Sequence, residues 1–456
     1  MNADTIAAIA TPPGEGAVAL LRVSGPEAVA IAARACHRPA GRTLAGTEAR
    51  RAYRATVRDV DGATLDEVLV TRFVSPASYT GEDVVEISGH GGPLVARRIL
   101  EAIVSAGARV AGPGEFTQRA FLNGKLDLTQ AEAVMDLIRA HSDLALRAAN
   151  EQLAGGLGRR IESLRENLLN LVAHIEAYID FPDEDITPET GAALLARLDD
   201  ARAQVAALLD TARPGRILRE GLRTAIVGEP NVGKSSLLNA LAGRDRAIVS
   251  ALPGTTRDTI EEFVSVRGLA LRLIDTAGLR ESADPVEREG IERARRELAG
   301  ADLVLQVVDA SQPPESTAPL PAAADAEQVR FVVVNKIDLG MHQAWREQGE
   351  APRLCVSCVT GSGIDRLGEE IVARVAGDTL RSSSGAQAAI NVRHRDCLLR
   401  ASVSLERARE TLLAGESPEF VAVDLRAALN AAGEVVGGTD AEDILDRIFA
   451  TFCLGK

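Results

Sequence analysis

Between residues 228 and 235 the chain reads Gly-Glu-Pro-Asn-Val-Gly-Lys-Ser, the spacing of a phosphate-binding loop. Glycines let backbone N–H groups turn inward around phosphate oxygens, and the helix expected from Lys234 adds its positive dipole end. Lys234 can reach the outer phosphates and Ser235 can ligate Mg²⁺. Three further segments follow in the order of a GTPase: Gly254-Thr-Thr-Arg-Asp258, Asp275-Thr-Ala-Gly278 and Asn335-Lys336-Ile-Asp338. Thr256 is expected to complete the Mg²⁺ shell, Asp275 to hold the ion through water, and the Gly278 amide to sense the γ-phosphate. Asp338 can accept two hydrogen bonds from the N1–H and exocyclic amine of guanine, which adenine does not offer, so GTP is expected over ATP. Lys336 is expected to lie along the base.

The nucleotide contacts expected from these motifs are Asn231, Val232, Gly233, Lys234, Ser235 and Ser236; Ser250, Ala251, Leu252, Pro253, Gly254, Thr255 and Thr256; Asp275, Thr276, Ala277 and Gly278; Asn335, Lys336 and Asp338; and Ser357 and Cys358. The last two stand in Cys355-Val-Ser357-Cys358, before a Gly-Ser-Gly turn similar to the last guanine-contact loop of GTPases. A Cys-x-x-Cys redox or zinc site is the other reading of that run, but no second cysteine pair stands at zinc spacing. Leu279 follows Gly278 where small signalling GTPases carry a water-orienting Gln, and an apolar side chain cannot hold a nucleophilic water. Glu287 is a candidate carboxylate for that work; a first-turn glutamate serving the helix dipole is the other reading. No arginine finger is evident, and Asn231 offers a carbonyl through which a monovalent cation could bring positive charge to the phosphates.

These residues need elements to hold them. Over 221–375 apolar strand runs at 224–227, 269–275, 303–309, 331–335 and 354–357 alternate with helical patterns, which predicts a parallel sheet wrapped by helices. Residues 1–118 mix strand runs at 17–23, 67–73 and 83–87 with helical stretches at 28–35 and 94–106, an α+β pattern. Residues 126–209 are long amphipathic helical stretches interrupted near 180–183 and 187–188; a linker at 381–385 precedes renewed helical patterning over 388–449. The expected segments are therefore 1–118, 119–215, 216–378 and 379–456, a multidomain α/β chain with an α/β unit inserted into an all-α one.

Composition narrows the function. The 456 residues are 46% hydrophobic with a formal charge of −14, which disfavours non-specific attachment to nucleic acid or anionic membrane. With 9 Phe, 3 Tyr and 1 Trp, few platforms exist for stacking single-stranded bases, so an RNA substrate would call for a partner. Cys36, Cys355, Cys358, Cys397 and Cys453 are odd in number and scattered, and no signal or membrane-length apolar run occurs, so a reducing, cytoplasmic setting is expected. Of 51 basic residues only Lys125, Lys234, Lys336 and Lys456 are lysines, which marks them as positions where a compact ammonium is needed.

Outside the nucleotide motifs the chain carries Asp4-Thr-Ile leading to Thr11-Pro-Pro-Gly14, Gly81-Glu-Asp-Val to Gly89-His-Gly-Gly92, and Pro113-Gly-Glu-Phe116 to Ala120-Phe-Leu-Asn-Gly-Lys125 and on to Glu132. It also carries Asp180-Phe-Pro-Asp-Glu184 and a terminal Phe452-Cys453-Leu-Gly-Lys456. With these the chain resembles, over its whole length, the MnmE (TrmE) family of tRNA-modifying GTPases. The resemblance implies an N-terminal folate-binding domain that forms a homodimer, a helical domain in two segments and an inserted Ras-like GTPase domain. It implies that K⁺ stands in for an arginine finger, held by Asn231, Ser250, Leu252 and Thr255, and that Glu287 orients the water. It implies 5-formyl- or 5,10-methylene-tetrahydrofolate at Arg22, Glu86, Lys125 and Lys456, and a catalytic or positioning role for Cys453, the other reading being an inert thiol. It further implies a heterotetramer with the FAD-bearing flavoprotein MnmG, modifying C5 of the wobble uridine U34 of certain tRNAs with an aminomethyl or carboxymethylaminomethyl group. Cys358 stands where the family usually has Ala. The contrasting reading of the nucleotide motifs is a ribosome-assembly or signalling switch without modification chemistry; a folate-dependent one-carbon transferase with an accessory GTPase is a third.

Overall fold

The structure, a computed structural model, describes residues 4–180, 191–243, 263–274, 298–314, 328–346, 353–381, 389–438, 445, 448–453 and 455. The chain divides into two compact units, one of residues 1–135 with 436–456 and one of residues 136–435. The fold class read from the sequence holds: an α+β region first, helices, and an α/β unit set between helical stretches.

In the first unit, β1 (Ile6–Ile9), β2 (Val18–Ser24), β3 (Cys36–His37), β4 (Ala52–Arg58), β5 (Thr64–Phe73), β6 (Val84–His90) and β7 (Arg109–Val110) form one sheet in the order β3-β4-β5-β6-β2-β1-β7. Every neighbouring pair is antiparallel except β1 and β7. Helices Ala28–Ala35 and Pro93–Ser105 bury Ile31, Ile99 and Ile103 against Leu21, Val57, Val70 and Ile87 of the strands. Each such side chain withdrawn from water stabilises by roughly 1.5–3 kcal/mol. The C-terminal residues belong to this unit: Phe449 and Phe452 cluster with Phe121, Leu128 and Met135.

The second unit holds the helices Asp143–Leu153, Gly156–Asp180, Gly191–Leu209, Ala212–Glu220, Val392–Ala414 and Pro418–Val436. In Gly156–Asp180 the buried Leu157, Ile161, Leu164, Leu168, Leu171 and Ile175 recur at helical spacing, which turns one stripe to the core. The continuous helical pattern expected over 388–449 is broken after Ala414. Gly415 takes a left-handed φ of 67° and its N–H closes on Leu412 O, a glycine helix stop, and Pro418 then opens the next helix.

The motifs at 228–235, 335–338 and 355–358 belong to a second sheet, β8 (Leu222–Val227), β9 (Phe263–Val266), β10 (Leu269–Ile274), β11 (Leu303–Asp309), β12 (Val329–Asn335) and β13 (Arg353–Cys355), ordered β13-β12-β11-β8-β10-β9. Five strands run parallel, as expected; β9 is antiparallel to β10. Arg267 and Gly268 join β9 to β10 with φ of 50° and 81°, the two positive values of a tight hairpin turn. The strand order reverses between β8 and β11, which is where an open parallel sheet leaves a crevice at the carboxyl ends of its strands.

Candidate functional site

The phosphate loop leaves β8 at that crevice. Gly228 has a φ of 148°, and a Cβ there would stand 2.2 Å from Val307 O on β11; Gly233 has a φ of 100°, and a Cβ would stand 2.3 Å from Asn335 Nδ2. Glycine is thus required at both ends, once for its conformation and once for closeness to neighbouring strands. Asn231 between them also takes a left-handed φ of 64°, a conformation asparagine tolerates better than most residues. Lys234, first residue of the helix Lys234–Ala242, folds its ammonium back over the loop and donates to Gly228 O at 2.8 Å and Glu229 O at 2.7 Å. Ser235 and Ser236 are exposed beside it. The loop is thus pressed against neighbouring strands at both glycines with the Lys234 ammonium across its carbonyls, a cation placed to meet phosphate.

The end of the crevice expected to take the base is built on β11, β12 and β13. Asn335, buried at the end of β12, donates from Nδ2 to Val232 O at 2.9 Å and accepts the Cys358 N–H at its Oδ1 at 3.2 Å. It therefore fastens the phosphate loop and the loop after β13 to one side chain. Lys336 has a left-handed φ of 65° and pairs through Nζ with Asp309 Oδ2 at 2.7 Å. Burial alone would raise the Asp309 carboxyl, but hydrogen bonds from Lys336 and Ser311 outweigh it and hold the group below the usual carboxylate range. Asp338 is exposed, and its Oδ1 accepts the Ser357 hydroxyl at 2.5 Å, leaving carboxylate oxygen lone pairs for a ligand. Asn335, Lys336, Asp338, Ser357 and Cys358 thus converge.

Asp309 is a functional candidate that the motif reading passes over. It stands at the last position of a strand the sequence delimits fully, and a carboxylate ending a buried parallel strand is the signal that marks it. The cysteines of the Cys-x-x-Cys run differ in setting. Cys355 is exposed, while the Cys358 thiol is half-buried and pushed up by burial, with an Asn335 hydrogen bond lowering it and the Asp338 charge raising it. No group of three metal-ligating side chains occurs among the described residues.

In the first unit, Arg22 on β2 and Glu86 on β6 are register partners, and Arg22 donates to Glu86 Oε1 through Nε at 3.1 Å and Nη2 at 2.8 Å. The Arg22 guanidinium lies 5.0 Å from the Tyr79 ring centroid and 5.7 Å from that of Phe116. Lys125 is exposed and donates to Pro76 O at 3.1 Å; Pro76 and Tyr79 share the loop before β6. Arg22 and Glu86 are therefore in contact, and among the described residues Lys125 is linked to them through that loop.

The terminal tail reaches the same sheet. Gly455 is buried with a φ of 89°, and a Cβ there would stand 2.4 Å from Ile9 O at the end of β1. Gly114, with a φ of 66°, makes room for the tail in turn, since a Cβ would stand 2.8 Å from Phe449 O and 2.9 Å from Phe452 Cβ. Cys453 between these seats is exposed.

Arg119 joins motifs that are separate in sequence. Its Nη1 donates to Asp4 O at 2.9 Å and Glu82 Oε1 at 3.2 Å, and its Nη2 to Asp4 Oδ1 at 2.8 Å and Glu115 Oε1 at 3.0 Å. Burial opposes the charge on Arg119, and the carboxylates around it outweigh that opposition. Ser250 to Thr256, Asp275 to Gly278, Leu279, Glu287 and Lys456 lie outside the described residues. So do the Phe181 to Glu184 part of the motif begun at Asp180 and the expected interruption near 187–188.

Among the described residues no helix is long and apolar enough to cross a membrane. Two family models match the chain: the N-terminus of the GTP-binding protein TrmE over residues 5–125, and the MnmE helical domain over residues 128–453. Proteins named tRNA modification GTPase MnmE are similar along the full length. One from Akkermansia muciniphila is 52% identical over 455 residues, covering 99% of each chain. Those from Opitutus terrae and Chloroflexus aurantiacus are each 48% identical, covering 99% of this chain and 99% and 100% of theirs.

Proposed function

The chain belongs to the MnmE family of tRNA modification GTPases, and from that premise we propose that it hydrolyses GTP to drive modification of tRNA wobble uridines. The observation that carries the nucleotide half is Asn335, which holds the phosphate loop and the guanine loop on one buried amide. Lys234 would meet the outer phosphates, with the backbone around Val232 and Gly233 cradling them, and Asp338, braced by Ser357, would read the guanine edge. Mg²⁺ held by Ser235 and Thr256 would neutralise charge building on the phosphates, and K⁺ at Asn231, Ser250, Leu252 and Thr255 would add to it. Glu287 would orient the attacking water in place of the missing glutamine.

In the modification half, Arg22 and Lys125, with Lys456 from the tail, would face the carboxylates of a tetrahydrofolate, and Glu86 would accept from its pterin donor edge. The folate would supply a one-carbon unit to C5 of U34, together with the FAD of the flavoprotein MnmG in a heterotetramer. The tail seat formed by Gly114 and Gly455 supports a positioning role for Cys453, which stands between the two. Segment 1–118 would then be a folate and homodimerisation domain, 119–215 and 379–456 the two parts of a helical domain, and 216–378 the inserted GTPase domain, working in the cytoplasm.

Nucleoside analysis of tRNA from cells lacking this chain tests the proposal, with GTP hydrolysis by the pure protein measured beside it in K⁺ and in Na⁺. Loss of the U34 modification and faster hydrolysis in K⁺ are expected. An unchanged tRNA profile with normal hydrolysis would favour a switch GTPase, and equal rates in the two salts would remove the cation.

A further inference from the structure

Arg219 lies near the end of the helix Ala212–Glu220, and three residues after it β8 begins and runs directly into the phosphate loop. Its guanidinium reaches three separate stretches of chain. Nε donates to Asp136 Oδ2 at 2.6 Å, and Nη2 donates to Gln152 Oε1 at 2.9 Å and to Ala389 O at 3.3 Å. Asp136 belongs to the helix Leu128–Ile138 and Gln152 to Asp143–Leu153, while Ala389 lies on the chain returning from the nucleotide sheet, just before Val392–Ala414. One side chain therefore ties the way into the nucleotide sheet, the way out of it and the helices before it.

The same helix is fixed to the sheet itself. Arg216 Nη2 pairs with Asp302 Oδ1 at 2.5 Å, and Asp302 Oδ2 also accepts the Arg223 N–H of β8 at 3.1 Å. On the other side a Cβ at Gly215 would stand 2.6 Å from Ile390 O, so helix and returning chain touch backbone to backbone. Between these fixed contacts Arg219 has a donor to spare. It borders a cavity of about 20 Å³, lined also by Asp136, Ala145, Gln152, Gly215 and Ala389. Its Nη1 is buried without a hydrogen-bond partner among the described residues. A guanidinium that holds acceptors on separate segments passes a shift of one of them to the others, and a water-sized cavity beside it leaves room for that shift. Arg119, whose two terminal nitrogens both have acceptors, lacks that freedom.

We propose that Arg219 is a positioning residue that couples the nucleotide state of the phosphate loop to the helices at Asp136, Gln152 and Ala389. The helix moves with the sheet through Arg216, and the guanidinium passes that movement on by changing how it is shared between Gln152 and Ala389. The proposal rests on the function above only for its tRNA readout; the coupling itself is read with nucleotide alone.

The test uses the full chain, Arg219→Met, and Asp136→Leu/Arg219→Met, which removes both charges and leaves neither buried alone. Amide hydrogen exchange is followed at 143–153 and 389–396 with and without GDP. In the starting chain GDP is expected to change exchange in both stretches by about threefold or more, and in both variants that response is lost while GTP hydrolysis stays within about twofold. U34 modification by the variants is expected to fall about tenfold or more. Stretches that do not respond to GDP in the starting chain, or variants that keep the response, overturn the coupling. So does an equal fall of hydrolysis and modification, which marks a general structural role. If the starting chain modifies no uridine, the proposed function fails, and the exchange comparison still decides the coupling.

Discussion

Asn335 Nδ2 holds Val232 O at 2.9 Å, a bond between the end of β12 and a loop more than a hundred residues earlier. Because Asn335 also accepts from Cys358, truncating it releases two loops together. Asn335→Ala should weaken GDP binding by about tenfold or more, since a buried polar group left without its partner costs roughly 1–3 kcal/mol. Fluorescence titration with a labelled GDP measures this, and binding within twofold of the starting chain would show that the loops hold their shape without the amide.

The Asp309 and Lys336 pair gives a pH dependence. The folded pKa of Asp309 is lowered, so its contribution is fully present above the ordinary carboxylate range, near pH 4, and is lost as pH falls through the depressed value. Asp309→Asn should lower stability near neutral pH and make the acid limb of the unfolding curve shallower. Thermal melts between about pH 3 and 7 test it, and parallel acid limbs in the two proteins would contradict it.

Arg119 is the buried cation of the first unit, its side chain only 9% exposed. Arg119→Met leaves Glu82 without its cation while Arg109 still pairs with Asp4 and Glu115, and should destabilise by about 1–3 kcal/mol. Denaturant unfolding measures this; a loss under 1 kcal/mol would mean that water replaces the guanidinium.

Gly114→Ala places a methyl group against Phe449 O, backbone that cannot rotate away. The tail should leave its seat, with U34 modification falling sharply and GTP hydrolysis unchanged. Trypsin cleavage near the C-terminus, faster in the variant, reports the displacement independently, and a tail equally protected in both proteins would sink the prediction.

Glu86→Gln keeps the shape of the partner of Arg22 but removes its charge. Folate binding, measured by calorimetry, should weaken by about tenfold, and the GTPase rate should stay the same. Unaltered folate affinity would remove Glu86 from the proposed site.

Much of the nucleotide sheet is legible in the sequence because its chemistry is local. A glycine loop, a helix and apolar strand runs lie within short windows, and the run 303–309 is the observed strand β11. β9 escapes because it is four residues long and its turn, Arg267-Gly268, lacks the usual asparagine or aspartate. β4 escapes because its inward positions are Ala55 and Val57 between exposed arginines, a weak alternation. The seat of the tail on β1 and the meeting of Asp4, Glu82 and Glu115 at Arg119 join residues far apart in sequence. No periodicity encodes such contacts; the motifs mark the participants and leave the meeting to the fold.

The ammonium of Lys234 spans the carbonyls of its own loop. An ammonium carries three donors, so Lys234 can hold its loop and still turn positive charge toward an anionic guest. A guanosine without phosphates would leave that cation without an anion to meet. The loop therefore holds its positive charge in place ahead of any guest, and a visitor that brings no negative charge forgoes that part of the welcome.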